Sequence, residues 1–217
     1  MSQGTAAPRR GLFLDLDGTL ADTLPMLRRA YRDFLARFGA SGSEREFESL
    51  NGPPIPEIVA RLKTVHRLPG TAVELTARYR SLLDEAHRAA PPQDGAAELL
   101  TAARAHGWTA AVVTSNPHAA TQAWLIRVGL ADRVAVVVGG DDVARGKPDP
   151  EPYRLALARG GCEATTSLAI EDGVQGALAA MGAGLPTWRL GAGAEALAGQ
   201  PLFCGTLPDL HAALRLL

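Results

Sequence analysis

A chain of 217 residues has room for one sizeable core and a small appended domain. Its 47% hydrophobic and 21% charged residues exclude a disordered chain. A net charge of -1 provides no chain-wide attraction to nucleic acid or to an anionic membrane, and no apolar run approaches the ~20 residues that span a bilayer.

The first ten residues, MSQGTAAPRR, lack an apolar segment and read as a frayed leader, not a secretory signal. Gly11 to Leu16 reads as a short apolar strand that ends in acidic residues and glycine. From about residue 23 to residue 88 the pattern is helical throughout. Leu27, Tyr31, Phe34, Leu35 and Phe38 recur at helical spacing before Gly39. Ser43 with Glu46, and Thr71 with Glu74, have the spacing of capping boxes that open further helices. A third helix carries Ile58, Val59 and Leu62.

After Pro91-Pro92 strands and helices alternate. A helix is predicted from about Asp94 to Gly107, a strand over Thr109 to Val113, and a helix capped by Asn116-Pro117 that ends at Gly129. Val134 to Val138 is a branched apolar run, as expected for a strand buried on both faces. A helix around Pro152 to Arg159, a strand at Leu168 to Ile170, a helix around Val174 to Met181, a short strand at Pro186 to Arg189 and a closing helix over Leu207 to Leu216 complete the pattern. Such alternation predicts an α/β fold, a Rossmann-like parallel sheet with helices on both faces. The all-helical stretch after the first strand reads as a separate small domain. Cys162 and Cys204 lie outside any CxxC or Cys/His cluster, which predicts reduced thiols in a cytoplasmic protein and no zinc site.

Open parallel sheets bind ligands beyond the carboxyl ends of their strands, so the residues there carry the functional argument. The first strand delivers Asp15 and Asp17. A carboxylate can attack phosphorus, and a second one can protonate a leaving oxygen and later deprotonate water. Two residues apart in extended chain, the pair shares one face. The second strand delivers Thr114, whose hydroxyl, with the backbone N–H of Ser115, suits phosphate oxygens; Asn116 is better explained as a helix N-cap. The loop after the third strand carries Lys147, one of only two lysines among 22 basic residues, the other being Lys63. A compact ammonium there would clamp phosphate as a point charge. The fourth strand ends in Glu171-Asp172, hard oxygen ligands of the kind that suit Mg²⁺, with N-capping of the next helix by Asp172 as the plainer alternative. Taken singly, each segment also reads as an ordinary turn or cap.

Together, DLDGTLADT at 15–23, VVTSN at 112–116, GKPDPEPY at 146–153 and IEDGVQGALAA at 170–180 resemble, in order and spacing, the haloacid dehalogenase superfamily of phosphohydrolases. The helical insertion resembles the cap of the subgroup that includes phosphoglycolate phosphatases and β-phosphoglucomutases. The resemblance implies a catalytic core at 1–20 and 90–217 and a helical cap domain at 21–89. It implies Asp15 as nucleophile, Asp17 as general acid/base, and Thr114, Ser115 and Lys147 on the phosphoryl group. Magnesium would be held by Asp15, Asp17 through its backbone carbonyl, Asp172 and, in support, Glu171. Gly173 departs from the pattern, relatives commonly having serine there. The implied partner is a small phosphorylated metabolite, with Asn51 and Gly52 of the cap loop as candidate substrate contacts; Lys63, Tyr79 and Arg80 are further cap positions, Lys63 and Tyr79 reading better as solvated face and cap core. The presence of Asp17 weighs against a dehalogenase. A sugar phosphomutase remains the alternative to a phosphatase, although the cap loop lacks the arginine that mutase relatives carry there.

Overall fold

The protein is described from a computed structural model, which covers residues 9–50 and 54–217. Of the expected leader, residues 1–8 lie outside this range, whereas Arg9 and Arg10 are not frayed: Arg9 bridges to Cys162, and the Arg10 carbonyl accepts the Thr109 N–H at 2.8 Å. Asn51 and Gly52 also lie outside the described residues. In chain order the elements are β1 (Gly11–Leu14), α1 (Leu24–Ala36), α2 (Glu44–Glu48), α3 (Ile55–His66) and α4 (Ala72–Ala89), followed by α5 (Ala96–Ala105), β2 (Thr109–Val113), α6 (His118–Arg127) and β3 (Val136–Val138). Then come α7 (Glu151–Gly160), β4 (Leu168–Glu171), α8 (Val174–Gly182), β5 (Thr187–Leu190), β6 (Phe203–Leu207) and α9 (Leu210–Ala213). The chain divides into two compact units, one formed by the chain up to Ala21 and from Pro91 to Leu217, the other by Asp22–Ala90.

The first unit is an α/β sandwich. Its six strands form one sheet in the order β3-β2-β1-β4-β5-β6, and every neighbouring pair is parallel. Parallel neighbours require crossovers, and the intervening helices cover both faces. Along β1 and β2 the side chains alternate between these faces. Phe13, Ala111 and Val113 pack with Val136, Val138, Tyr153 of α7 and Ala179 and Ala180 of α8. Leu12, Leu14 and Val112, fully buried, point the other way. The chain leaves β1 toward β2 and β3 on one side and later returns to β4 on the other. The carboxyl ends of β1 and β4 therefore flank the switch point, where such sheets open a crevice.

Two strand ends, one edge strand and the closing helix are the main differences from the sequence reading. β1 stops at Leu14, although the Asp15 N–H still bonds the Ile170 carbonyl at 3.1 Å, so Asp15 is the first residue past the strand and keeps its register. β3 starts at Val136, because a 3-10 turn occupies Ala131–Arg133 just ahead of it. β6 was not expected at all. It is an edge strand whose residues are partly exposed except Leu207, and Cys204 and Gly205 interrupt the apolar pattern; edge strands need only a weak one. The final helix is correspondingly shorter.

The second unit is helical. Tyr31, Phe34, Leu35, Ile58, Val59, Leu62, Leu75 and Tyr79 from α1, α3 and α4 form its core. Thr71 and Glu74 make the full reciprocal capping box at the start of α4. Ser43 makes only half of one. Its Oγ accepts the Glu46 N–H at 3.1 Å, but the Glu46 carboxylate faces Tyr31 Oη and His66 Nε2 instead. Tyr79 is buried in this core, and Lys63 Nζ donates to the Leu68 carbonyl at 3.0 Å beyond the end of α3. Among the described residues no helix is long and apolar enough to cross a membrane.

Phe13 has no exposed surface and touches both neighbouring strands and the covering helices. Truncating it leaves a cavity among the side chains of this cluster. Phe13→Ala is expected to lower stability by about 3–5 kcal/mol in urea titrations followed by circular dichroism.

Candidate functional site

The site is built on β1, β2 and β4, the three adjacent strands at the centre of the sheet, and on the loop after β3. Lys147 comes from that loop. Its ammonium donates to Asp15 Oδ1 at 2.6 Å, to Glu171 Oε1 at 2.6 Å and to the Val113 carbonyl at 2.9 Å. An ammonium has three N–H donors, and all three are used. Each acceptor belongs to a different strand end, so one lysine ties β1, β2 and β4 together. Its side chain is 9% exposed, and Glu171 is 2% exposed. Tyr153, on the first turn of α7 and fully buried, donates its hydroxyl to the same Glu171 oxygen.

Asp172 follows Glu171 directly. It does not cap α8, whose N-cap is Gly173. Its backbone carbonyl accepts Arg189 Nε at 2.8 Å, which anchors the turn after β4 to β5. The side chain points back at β1. A Cβ on Gly18 would lie 2.2 Å from Asp172 Oδ2, and Gly18 has φ +83°, so only glycine lets the DxDG turn pass this carboxylate.

Asp15, Glu171 and Asp172 each offer an oxygen, and these oxygens lie within 4.8 Å of one another. Three carboxylates at this separation carry one ammonium between them. Burial pulls the Lys147 pKa down, but the charges of Asp15 and Glu171 outweigh burial and push it above the ordinary lysine range. Burial raises the Glu171 carboxyl, and Asp15 adds to the rise; the ion pair with Lys147 opposes both without cancelling them. Asp172 is raised by burial and by repulsion from Asp15. The ammonium is thus fully committed while carboxylate charge remains unbalanced, a donor set of hard oxygens that fits a small divalent cation. Glu171 would bring one free oxygen to it, its Oε1 being held by Lys147 and Tyr153.

The side chain of Asp17 is not in that group of three. It turns to the end of β2, where Oδ2 accepts the Asn116 amide at 2.6 Å. Any part Asp17 takes in holding a cation therefore falls to its backbone carbonyl, as the resemblance implies. Thr114 is buried at the end of β2 with its N–H on the Val138 carbonyl at 3.0 Å, and its Oγ1 accepts the Asn116 N–H at 3.1 Å. Ser115 next to it is exposed. Asn116 does not cap α6, contrary to the sequence reading: the N-cap is Pro117, and the N–H of His118 at the helix start is bonded by Asp141 Oδ1 at 2.7 Å. Tyr153 and Arg189 are site residues to which the sequence reading gave no role, and Asn116 is one that it took for a helix cap. Tyr153 had a signal, a hydroxyl on an otherwise apolar helix face two residues past the proline-rich loop.

A sequence profile described as haloacid dehalogenase-like hydrolase matches residues 12–189. The chain is similar to a plasmid-borne phosphoglycolate phosphatase of Cupriavidus necator, 31% identical over 216 residues and covering 95% of this chain and 94% of that protein. It is also similar to validoxylamine A 7′-phosphate phosphatase of Streptomyces hygroscopicus, 34% identical over 175 residues, 79% of this chain and 80% of that one. Among solved structures, a candidate β-phosphoglucomutase of Thermotoga maritima shares the fold, with a TM-score of 0.83 at 24% identity over 95% of this chain and 98% of that chain.

The raised carboxyl groups give a pH dependence with a definite sign. A carboxyl whose pKa is raised by folding contributes stability below its unfolded value and loses it as pH climbs through the folded value. Glu171 and Asp172 should therefore destabilise the cation-free protein progressively as pH passes from the ordinary carboxylate range toward neutrality and above. A divalent cation competes with those protons. In thermal melts, Mg²⁺ is expected to raise the melting temperature more at about pH 8 than at about pH 5, and Asp172→Asn to remove most of that difference.

Proposed function

As a phosphoric monoester hydrolase belonging to the haloacid dehalogenase-like family, this chain, we propose, hydrolyses a small phosphate monoester through an aspartyl-phosphate formed on Asp15. The observation that carries the reading is the position of Asp15. It is pinned by its own backbone to β4, and its carboxylate lies in contact with the one buried ammonium of the site.

In the first half of the reaction a carboxylate oxygen of Asp15 forms a bond to phosphorus while the bond from phosphorus to the ester oxygen breaks. The electron pair stays on that oxygen, which takes a proton from Asp17. In the second half a water oxygen bonds to phosphorus, the bond to Asp15 breaks, and the proton lost by water returns to Asp17. Phosphate leaves and both aspartates are restored. Lys147 lowers the repulsion between an anionic nucleophile and an anionic substrate, because its charge lies beside the attacking oxygen. The Thr114 hydroxyl and the Ser115 N–H, at the end of β2, are the donors for phosphoryl oxygens. Asp15, Asp172 and the backbone carbonyl of Asp17 would hold Mg²⁺, with Glu171 in support. Bound there, the cation would supply charge neutralisation for the transferring phosphoryl group.

The relatives named above act on phosphoglycolate and on validoxylamine A 7′-phosphate. A small phosphorylated metabolite of the phosphoglycolate kind is the substrate class we assign, and the free thiols of Cys162 and Cys204 fit a cytoplasmic setting. A phosphomutase would use Asp15 and Asp17 in the same roles but return the phosphoryl group to a sugar hydroxyl. A panel of phosphate monoesters separates the two by phosphate release. Bisphosphate-dependent isomerisation without release would replace the phosphatase reading.

Asp15→Asn removes the nucleophile and leaves the shape. Turnover should fall by about 10⁴-fold or more, and near-normal hydrolysis by this variant would end the covalent reading. Chelation with EDTA should stop phosphate release, and added Mg²⁺ should restore it.

A further inference from the structure

Asn116 has no part in the chemistry as written above, yet it is one of the most tightly held polar residues at the site. Its amide nitrogen lies 2.6 Å from Asp17 Oδ2, across 99 residues of chain. Against a carboxylate only the NH₂ end of the amide can make this bond, so the orientation is fixed by chemistry. The Asn116 N–H donates to Thr114 Oγ1 at 3.1 Å, and its carbonyl accepts the Gly140 N–H at 2.8 Å. The last contact depends on glycine: a Cβ on Gly140 would lie 2.4 Å from the Ser115 carbonyl oxygen. The loop after β3 thus presses on the 115–116 backbone at a distance that no other residue permits. A helix cap needs none of this, and α6 is not capped by Asn116.

Asp17 is differently placed from Asp15. It lies beyond the end of β1, in a turn whose backbone bonds run among Leu16, Gly18 and Ala21. The sheet ladder does not fix its carboxylate. We propose that Asn116 is a positioning residue for the known type of reaction: its amide holds the Asp17 carboxylate at the leaving oxygen and couples that position to the Thr114 hydroxyl. The proposal rests on the reading of Asp17 as the leaving-group acid. Proton transfer to a departing alkoxide needs a donor within hydrogen-bond reach, and a displacement of about 1 Å at such a centre lowers the rate by roughly 10²-fold. Thr114 sets where the phosphoryl group sits. Asn116, bonded to Thr114 on one side and to Asp17 on the other, fixes the distance between them.

The test compares two esters that differ in their need for the acid. 4-Nitrophenolate departs without a proton, whereas phenolate, a stronger base, gains from one. For each enzyme the readout is the ratio of kcat/KM on phenyl phosphate to kcat/KM on 4-nitrophenyl phosphate, which does not depend on how much of a preparation is folded. Asn116→Ala and Asn116→Leu, the second filling the amide's space without its donor, are expected to lower this ratio by about 10-fold or more. Asp17→Asn is expected to lower it further. A merely structural role would reduce activity on both esters equally. An unchanged ratio in the two Asn116 variants, with a lowered one in Asp17→Asn, overturns the positioning role alone. An unchanged ratio in Asp17→Asn overturns the leaving-group assignment, and the positioning role with it.

Discussion

The arrangement on which the rest depends is one ammonium shared by three strand ends. Lys147 spends its three donors on Asp15, Glu171 and the Val113 carbonyl, so β1, β4 and β2 are joined at their carboxyl ends by a single buried charge. Such a junction is a poor source of stability, because desolvating the charges offsets much of their attraction, and removing one partner leaves the others uncompensated. It is a good source of position. Parallel strands of three to five residues cannot hold long side chains at their ends by backbone bonds alone. The shared ammonium orients Asp15 and Glu171 at once, and Tyr153 fixes Glu171 from the helix side.

The same junction explains why the site is electrically incomplete. With Lys147 committed, the raised carboxyl groups of Glu171 and Asp172 mark charge that burial disfavours and that no side chain in the cluster of three neutralises. A dianionic substrate brings more of the same sign. A divalent cation is therefore the natural complement of this donor set, and its affinity is inseparable from the protonation of the two carboxyl groups. The sheet topology places the cluster. β1 and β4 are neighbours in space and far apart in sequence, so acids from residues 15 and 171–172 meet only because the connection between them doubles back across the sheet.

Much of this was legible in the sequence because the informative residues follow apolar runs. Asp15, Thr114 and Glu171-Asp172 each sit where a buried strand meets solvent, and a parallel sheet brings all such positions to one edge. The alternation that identified the strands also gave the fold class. What could not be read is contact between side chains whose local roles looked complete. Asn116 before a proline and a helix resembles a cap, and capping logic explains it without reference to Asp17. Glu46 resembles half of a capping box, yet Tyr31 and His66 compete for its carboxylate and win. Tyr153 resembles core, and it is core, with one hydroxyl directed at Glu171. β6 was missed for a different reason: an exposed edge needs little hydrophobic patterning, and Cys204 and Gly205 supply almost none.

The two aspartates of the first motif are held by opposite means, and the difference fits the roles proposed for them, Asp15 as nucleophile and Asp17 as acid. A nucleophile forms and breaks one bond along one line, so it benefits from every constraint. Asp15 has a backbone bond to β4, burial and an ion pair. An acid that gives up a proton in one half of the reaction and recovers it in the other serves two different oxygens. It needs a fixed location with a tolerant charge state, which a neutral amide supplies and a second ammonium would not. An ammonium at the position of Asn116 would keep the carboxylate ionised and unable to protonate a leaving group. An apolar residue would remove the bond from the Asn116 amide. Between those extremes, asparagine bonds Asp17 Oδ2 without adding charge, and its own backbone is tied to Thr114, the residue proposed to bind the phosphoryl group. In the proposed reaction, the geometry of the phosphoryl group and that of proton delivery would then be set by Thr114 and Asn116, two residues apart at one strand end.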